Sequence, residues 1–429
     1  MIQKLFDFIA GCPTACHTTA ALGAMLEAAG YTRLQETEPW ELEPGRGYFT
    51  TRAMSSLIAF QAPKGDFSAF SIVAPHGDSP SFKVKESPEL PCEGHYTRLN
   101  TEVYGGPLLR LWTDRPLSVA GRLALRRERG VETRLVDLSQ DLLIIPGLAP
   151  HLDRETAEQG GKLDRQKDTL PLLGGEGADL LELLAQSIGE RKEDVLTHDL
   201  YLYVRQRGTQ LGAKGEYIAA PRLDDLECVF SAVTALLQGG NGEDCKVLAV
   251  FDNEEIGSLT RQGADSTFLS DVLARVCAGF GKGEEGKLRA IQGGMLLSAD
   301  NAHGVHPSYP EKYDPTNRCY LNGGVVVKHS TRYATDAVTA GVFQRICELA
   351  GVPTQAYYNN SKVPGGSTLG NLSGSHVSIP TVDIGLAQLS MHSPYETAGA
   401  EDLGHMIAAM TAFYNTPLRR EGDGSYSLG

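Results

Sequence analysis

The most informative stretch of this chain is KVLAVFDNEEIGS, residues 246–258, in which two adjacent glutamates, Glu254 and Glu255, closely follow an apolar run. A short valine-rich run bounded by polar residues is typical of a buried strand. Ligands gather at the carboxyl ends of strands in open α/β sheets, and neighbouring side chains on an extended backbone diverge. One glutamate can therefore bind a cation while the other faces a bound water, as metal-assisted hydrolysis requires. A lone Glu-Glu pair is also compatible with a solvated acidic turn.

Four other apolar runs are each followed by residues that can bind a metal. They are 70–74 followed by His76 and Asp78, 216–220 followed by Asp224 and Asp225, 294–299 followed by Asp300, His303 and His306, and 379–384 followed by His392. Taken singly, an aspartate at a strand end usually caps a helix or a turn. Five strand ends that bring histidines and carboxylates to one edge of a sheet instead predict a metal site at that edge.

The length and composition of the chain restrict the class of protein. Its 429 residues are enough for two or three domains, or for one large α/β domain with an insertion. Its 41% hydrophobic and 21% charged residues are ordinary for a globular protein with a sizeable core. No apolar stretch reaches the roughly 18 residues of a transmembrane helix, and the amino-terminal segment lacks the pattern of a secretory signal. We therefore expect no membrane partner.

The cysteine pattern favours a cytoplasmic location, and the net charge argues against a nucleic-acid partner. The eight cysteines are scattered and none of them shows CxxC spacing. In a chain of this size that pattern favours reduced thiols and a cytoplasmic location over a disulfide framework. The formal charge of −14 argues against a nucleic-acid partner, because nucleic-acid recognition depends on basic patches. An anionic substrate would need a local cationic pocket.

The pattern of the sequence changes between residues 88 and 212. Alternating apolar and polar residues punctuated by Gly, Pro and Asp, as in 117–125, are typical of antiparallel strands and hairpins. We also expect a helix over 178–188 and a strand over 199–205. The sequence therefore predicts a β-rich domain, 88–212, inserted into a discontinuous α/β catalytic domain formed by 1–87 and 213–429.

Five ordered motifs resemble those of the aspartyl aminopeptidase family of dinuclear zinc metallopeptidases. The motifs are PHGDSPSFKVK, PRLDD, FDNEEIGS, SADNAHGVHP and MHSPYE, and the insertion contains LRLWTDRPLSVAGR, which is close to the family's form. The likeness covers nearly the whole chain. It implies a three-layer α/β/α catalytic domain of the zinc-exopeptidase type, with the insertion as a dimerisation domain. It also implies a homo-oligomer built from dimers, and often a dodecamer.

The resemblance implies two divalent metal ions held by five side chains, which are His76, Asp224, Glu255, Asp300 and His392. Asp224 would bridge the two ions, with His76 and Asp300 completing one site and Glu255 and His392 the other. Zinc suits this set of histidines and carboxylates, and manganese or cobalt tolerates the same set. Bridging carboxylates suit a pair of ions that clamp a water and polarise a scissile carbonyl.

Two further carboxylates receive roles from the resemblance. Glu254 would be the general base that acts on a metal-bridged water, and Asp78 would orient His76. A carboxylate two residues after a metal-bound histidine is well placed to take the second ring proton. The chain departs from the family at Asp225, where the family often has Asn, and at 393–395, Ser-Pro-Tyr, where relatives often carry Ser-Ile-Arg. The first change adds charge near the metals, and the second alters a contact around them.

For substrate selection the resemblance points to His303, Lys328 and His151, of which His151 would act in the neighbouring subunit's site. Lys328 and His303 could meet a side-chain carboxylate. The implied function is that of an aminopeptidase that removes N-terminal residues, preferably Asp or Glu, from peptides. The alternatives are an aminopeptidase of the same machinery with neutral or broad specificity, a dimetal amidase or phosphatase, and a scaffold that retained the fold and lost turnover.

Overall fold

The computed structural model describes residues 1–152, 154, 161–240, 242–363, 366 and 369–429. Within these ranges the chain forms nine α-helices and four β-sheets. The helices are α1 (Ile2–Gly11), α2 (Ala15–Ala28), α3 (Leu180–Ser187), α4 (Leu223–Gln238), α5 (Phe268–Gly279), α6 (Glu284–Gly293), α7 (Ala337–Leu349), α8 (Leu369–Val377) and α9 (Asp402–Asn415).

A nine-stranded mixed sheet forms the centre of the molecule. In spatial order its strands are β1 (Thr32–Arg33), β2 (Gly47–Arg52), β3 (Ser56–Gln61), β13 (Cys245–Val250), β4 (Phe70–Ala74), β14 (Met295–Ala299), β18 (Thr381–Gly385), β16 (Val325–His329) and β17 (Thr354–Tyr358). The four strands from β13 to β18 run parallel to one another, while β3 and β16 pair antiparallel with their inner neighbours. The apolar run of the opening motif is thus a strand buried along its whole length.

Helices cover both faces of the nine-stranded sheet, as the alternate residues of β13 show. Leu248 and Val250 pack in a core cluster that includes residues of α1, α2, α4, α7 and α9. Val247 and Ala249 pack in a second cluster with residues of α5, α6 and α8. Because successive side chains of a strand point to opposite faces, this strand is buried on both sides. The predicted three-layer α/β/α architecture is confirmed.

A second, six-stranded antiparallel sheet is formed by the middle of the chain. Its strands in spatial order are β8 (Gly130–Asp137), β7 (Leu117–Arg127), β10 (Val195–Val204), β5 (Ser81–Cys92), β6 (Tyr96–Tyr104) and β9 (Leu172–Gly175). This sheet has a core of its own, to which α3 contributes Leu180 and Leu184. The β-rich insertion is therefore present, with the predicted helix and strand at α3 and β10. The boundaries at 88 and 212 and the role in dimerisation stay predictions.

The five predicted strand ends do not all belong to one sheet, so that part of the prediction is wrong. Strands β4, β13 and β14 are neighbours in the central sheet and lead to His76, to the two glutamates and to Asp300. The run 379–384 is β18 of the same sheet, but the chain continues through a further strand, β19 (Ala387–Leu389), before it reaches His392. The run 216–220, which precedes Asp224, lies in a five-stranded sheet, whose order is β11 (Thr209–Leu211), β12 (Tyr217–Ala220), β20 (Glu396–Gly399), β19 and β15 (Ala302–His303). Periodicity identifies a strand but does not identify the strand that pairs with it.

The carboxyl end of the chain closes with a two-stranded sheet of β21 (Leu418–Gly422) and β22 (Ser425–Leu428). Among the described residues, no helix is both long enough and apolar enough to span a membrane.

Candidate metal centre and active site

The first half of the site lies where the central sheet meets the start of α4. His76 Nε2 is 3.7 Å from Asp224 Oδ1 and 3.7 Å from Asp300 Oδ1. His76 and Asp224 are almost completely buried, while Asp300 is partly exposed. The neighbouring Asp225, joined to Asp224 by a cis peptide bond, accepts a hydrogen bond from the backbone N–H of His76 at 3.2 Å. One imidazole and two carboxylates thus converge on a common point.

The second half of the site shares Asp224 with the first. His392 Nε2 is 3.6 Å from Asp224 Oδ2 and 3.4 Å from Glu255 Oε2. Asp224 therefore presents Oδ1 to the group around His76 and Oδ2 to the group around His392. A carboxylate placed in this way has the arrangement of a bridging ligand between two cations.

The donor set and its unpaired atoms fit a pair of divalent metal ions. One ligand atom each of His76, Asp224, Asp225 and Asp300, and likewise of Asp224, Glu255 and His392, lies within 4.8 Å of the others in its group. Within the described chain, buried Asp224 Oδ1 and Glu255 Oε1 receive no hydrogen bond. Buried carboxylate oxygens without a donor are costly unless a cation compensates them. Histidines and carboxylates in this combination suit zinc, and manganese or cobalt tolerate them.

Both histidines are turned so that Nε2 faces the common centre. The other ring nitrogen, Nδ1, lies 3.1 Å from a backbone carbonyl oxygen in each case, that of Asp78 for His76 and that of Gly106 for His392. When Nδ1–H donates to such a carbonyl, Nε2 carries the lone pair that a metal requires. Both rings are therefore held in the orientation of a metal ligand.

The electrostatics of the site also fit cations. Burial, reinforced by the charge of Asp224, holds the pKa of Glu255 well above its usual range. Burial raises the pKa of Glu254 to about 8, with the charges of Asp300 and Asp78 acting in the same direction. Asp300 differs, because the Lys328 ammonium and His76 outweigh its burial and hold its pKa below the usual range. Bound cations lower the pKa of neighbouring carboxyl groups, so they would relieve this accumulation of negative charge.

Asp78 does more than the sequence predicts for it. Its carboxylate accepts hydrogen bonds from the backbone N–H groups of Glu254 at 3.1 Å and Glu255 at 3.2 Å, and from the Tyr104 hydroxyl at 2.7 Å. The nearer partner of His76 Nδ1 is the Asp78 carbonyl at 3.1 Å, and the carboxylate Oδ1 is 3.4 Å away. Asp78 therefore holds the turn that carries the glutamates, and its backbone orients His76.

The two glutamates lie in a short 3₁₀ turn, Glu254–Ile256, and point to different partners. Glu255 faces His392, whereas the side chain of Glu254 makes no hydrogen bond to the described part of the chain and lines a cavity. Asn253, which precedes the turn, adopts a left-handed conformation with φ of 63° that asparagine tolerates better than most residues. The two side chains therefore diverge as expected, but they do so from a 3₁₀ turn and not from the extended backbone on which the prediction was based.

Sequence reasoning missed Glu396 and Tyr104. Glu396 is buried, and its carboxylate accepts the backbone N–H of His392 at 2.7 Å and that of Asp224 at 3.0 Å. Glu396 ends the MHSPYE motif, so its position next to His392 could have drawn attention to it. Tyr104 ends β6 and lies far from the glutamates along the sequence. No local pattern indicated the contact of Tyr104 with Asp78.

Two of the three proposed substrate residues line the cavity beside the metal centre. This cavity has a volume of about 490 Å³, and its lining includes Glu254, His303, Lys312 and Lys328. His151 is exposed in the connection between β8 and β9 and does not line this cavity of its own chain.

Lys328, which the family resemblance assigns to a substrate carboxylate, already has a carboxylate partner in its own chain. It lies within β16 and is 2% exposed, and its ammonium donates to Asp300 Oδ2 and to the Asp300 carbonyl at 2.8 Å each. A third, longer hydrogen bond of 3.3 Å reaches the carbonyl of Asn301. Lys328 therefore compensates the charge of Asp300 in addition to lining the cavity.

Comparisons with known proteins agree with this geometry. The family model described as Aminopeptidase I zinc metalloprotease (M18) matches residues 8–414. A protein of Clostridium acetobutylicum named Probable M18 family aminopeptidase 2 is 40% identical over 425 residues, which cover 96% of this chain and 98% of the relative.

Two solved structures show the same fold. A chain in the cryo-EM structure of the Ape4 and Nbr1 complex matches with a TM-score of 0.92 and 32% identity, covering 96% of this chain and 85% of that one. The mApe1 dodecamer of S. cerevisiae matches with a TM-score of 0.84 and 27% identity, covering 96% and 95%. Since the family model spans nearly the whole sequence and the relative is alike along its full length, this chain belongs to the M18 aminopeptidase family of zinc metalloproteases.

Proposed function

We propose that this M18 aminopeptidase preferentially removes Asp or Glu from the N-termini of peptides, with two divalent metal ions, zinc in the first place, and with Glu254 as general base. The observation that carries the proposal is the shared carboxylate of Asp224, whose two oxygens face His76 at 3.7 Å and His392 at 3.6 Å. Beside it, the Glu254 carboxylate lines the cavity that would receive the substrate.

The ions would be held by His76, Asp224 and Asp300 on one side and by Asp224, Glu255 and His392 on the other. When bound, they would polarise the scissile carbonyl and lower the pKa of a water molecule. Within the chain, Glu254 takes a proton from the attacking water at a carboxylate oxygen and delivers it to the leaving amine. Burial raises the pKa of Glu254, and bound cations would lower it again, so that its carboxylate form can accept the proton.

The preference for an acidic residue is proposed to come from cations near the metal centre. The net charge of −14 repels acidic peptides at long range, so selectivity must come from a few close groups. Lys328 and His303 line the cavity and are the proposed contacts of the substrate carboxylate. Because the Lys328 ammonium already donates to Asp300 twice and to the Asn301 carbonyl at 3.3 Å, a substrate carboxylate would have to displace the longer hydrogen bond to Asn301. A neutral or broad specificity remains the alternative.

The proposed function is tested with four substrates and added metal. The purified chain is treated with a chelator, and rates on Asp-, Glu-, Ala- and Leu-p-nitroanilide are measured after addition of zinc, manganese or cobalt. We expect no turnover without metal, restored turnover with it, and a higher kcat/KM for the two acidic substrates. Equal kcat/KM on all four substrates would contradict the acidic preference, and full activity of the metal-free chain would contradict the metal centre.

The substitution Lys328→Ala is expected to reduce selectivity as well as activity. Loss of the ammonium leaves Asp300 without its ion pair, so kcat/KM should fall on every substrate. On Asp and Glu it should fall further, because a charge-assisted hydrogen bond worth about 1.5–3 kcal/mol corresponds to roughly ten- to a hundredfold in selectivity. The ratio of kcat/KM for Asp- over Ala-p-nitroanilide is the measurement.

Lys312→Ala is the matched control for that substitution, since Lys312 is an exposed lysine that lines the same cavity. The control should keep the Asp/Ala ratio of the unsubstituted chain. If Lys312→Ala abolishes the preference for acidic substrates and Lys328→Ala lowers kcat/KM equally on all four substrates, Lys312 is the cation that selects the substrate. Lys328 would then only compensate the charge of Asp300.

We further propose a cytoplasmic homo-oligomer built from dimers through residues 88–212, with His151 contributing to the neighbouring subunit's site. The exposed position of His151, outside the cavity of its own chain, supports an action in trans. The dodecameric state of S. cerevisiae mApe1 supports a large assembly. Light scattering of the purified chain measures its assembly, and a monomeric mass would contradict this part of the proposal.

A further inference from the structure

Residues 104–108, Tyr-Gly-Gly-Pro-Leu, leave the end of β6 and cross over to the metal centre. We refer to these five residues as the strap. The strap continues directly from β6 of the six-stranded sheet, whereas the residues that it contacts lie in the α/β part of the molecule. It contacts both the turn that carries the glutamates and His392.

At one end of the strap, Tyr104 holds the glutamate turn. Its hydroxyl donates to Asp78 Oδ2 at 2.7 Å and accepts a hydrogen bond from Asn253 Nδ2 at 2.9 Å. The same Asp78 carboxylate accepts the backbone N–H groups of Glu254 and Glu255. Tyr104 is 8% exposed, so these hydrogen bonds are largely shielded from water. The Tyr104 hydroxyl thus links the strap to Asp78, which holds the glutamate turn, and to Asn253, which immediately precedes that turn.

At the other end, the strap holds His392 by its ring and by its backbone. The carbonyl oxygen of Gly106 lies 3.1 Å from His392 Nδ1, and the backbone N–H of Leu108 donates to the His392 carbonyl at 3.0 Å. Second partners of this kind set the tautomer and the direction of a metal-bound histidine. His392 itself has a positive φ of 66°, so its backbone adopts a conformation that its neighbours must maintain.

Between these ends a side chain at Gly105 would be tightly packed and its backbone strained. Gly105 has a φ of +71°, and a Cβ atom there would lie 3.2 Å from the Cβ of Glu255. The backbone of the strap therefore packs directly against a proposed metal ligand. Glycine allows both the left-handed conformation and this close approach.

We propose that the strap is a positioning element of the active site, which sets the relative position of Glu255 and His392 and thereby the geometry of one of the two metal sites. The inference rests on the proposed function, since it assumes that these residues bind metal. No atom of the strap need touch the reacting atoms; it acts through Asp78, Glu255 and His392. Through the strap, the β-rich insertion would directly control the metal centre of its own chain.

The proposal is tested with two strap variants and two matched controls. Tyr104→Phe removes the hydroxyl, and Tyr201→Phe is its control, because the Tyr201 ring lies 5.4 Å from that of Tyr104 and its hydroxyl makes no hydrogen bond to the described residues. Gly105→Ala places a methyl group against Glu255. Gly94→Ala is its control, because Gly94 has a similar φ of +68° and no atom within 4 Å of an added Cβ.

Three quantities are measured on all four variants: kcat and KM on the preferred p-nitroanilide, the thermal unfolding temperature, and the rate at which bound zinc passes to a chromogenic chelator. We expect both strap variants to lower kcat by about tenfold or more with little change in KM, and to release one of the two ions at least about tenfold faster. The controls should keep the kcat and the release rates of the unsubstituted chain. If the strap had only a structural role, the substitutions would lower the unfolding temperature but would not increase the release rate of one ion more than that of the other.

Release rates and kcat values of the strap variants that equal those of their controls would overturn the proposal. The same holds if both ions are released faster in proportion to a lower unfolding temperature. If the unsubstituted chain binds two ions yet cleaves none of the four p-nitroanilides, the proposed function is contradicted. The strap is still tested in that case by the release rates, which do not depend on turnover.

Discussion

Glu254→Gln is expected to lower kcat by at least about two orders of magnitude, or about 2.7 kcal/mol of transition-state stabilisation, while both metal ions stay bound. Glutamine has nearly the size of glutamate and can accept hydrogen bonds, but it cannot take a proton from the attacking water. Glu254 lines the cavity and makes no side-chain hydrogen bond to the described residues, so the substitution disturbs little else. The measurements are kcat on the preferred p-nitroanilide and the metal content of the purified variant.

Glu255→Gln is the matched control, since it makes the same chemical change at the adjacent residue. Glu255 lies 3.4 Å from His392 Nε2 and has a buried oxygen without a hydrogen bond from the described chain, as a metal ligand would. We expect this variant to lose metal, and to lose activity for that reason. If Glu254→Gln lost metal and Glu255→Gln retained both ions, the two glutamates would have exchanged roles.

Asp224→Ala is expected to lower the occupancy of both metal ions and to abolish turnover. Its two carboxylate oxygens face different histidines, so removing the side chain takes one ligand from each site. A variant that lacks the shared ligand should also gain less thermal stability from added zinc, because at a given concentration a ligand stabilises the folded state more when it binds more tightly. Metal content and the zinc-dependent shift of the unfolding temperature measure the two effects.

Asp225→Ala provides the comparison at the neighbouring position. The Asp225 carboxylate is also buried among the potential ligands, but it accepts the backbone N–H of His76 at 3.2 Å. We expect this variant to bind both ions, with the one near His76 held more weakly. Loss of only one ion in Asp224→Ala, together with loss of both in Asp225→Ala, would make Asp225 the bridge.

Much of the site follows from the local sequence. Four of the five proposed metal ligands, all except His392, follow closely on an apolar run, and a short apolar run between polar residues predicts a strand, at whose carboxyl end ligands gather in open α/β sheets. For that reason His76, Glu254, Glu255 and Asp300 could be assigned to one sheet edge, and the structure brings them together there. The three-layer architecture also follows, because buried runs such as that of β13 require helices on both faces.

The partners of these residues do not follow from local sequence. Lys328 has the pattern of a lysine at the end of an apolar strand, yet β16 pairs antiparallel with β18 and its ammonium meets Asp300. A buried cation next to a carboxylate lowers the free energy of both charges, but only the pairing of strands brings the two side chains together. The sequence therefore identifies Lys328 as a cation near the site without identifying what it neutralises.

Local sequence by itself determined which residues can bind metal, the buried strands that precede them, and the presence of a β-rich insertion. Only the tertiary structure shows that the strand before Asp224 lies in a separate five-stranded sheet, that His392 follows a further strand of that sheet, and that the strap reaches the candidate metal centre. The physical reason is distance along the chain. Tyr104 and Asn253 are 149 residues apart, and Gly106 and His392 are 286 residues apart. Contacts between such remote segments depend on the packing of whole sheets, which periodicity and turn patterns do not encode.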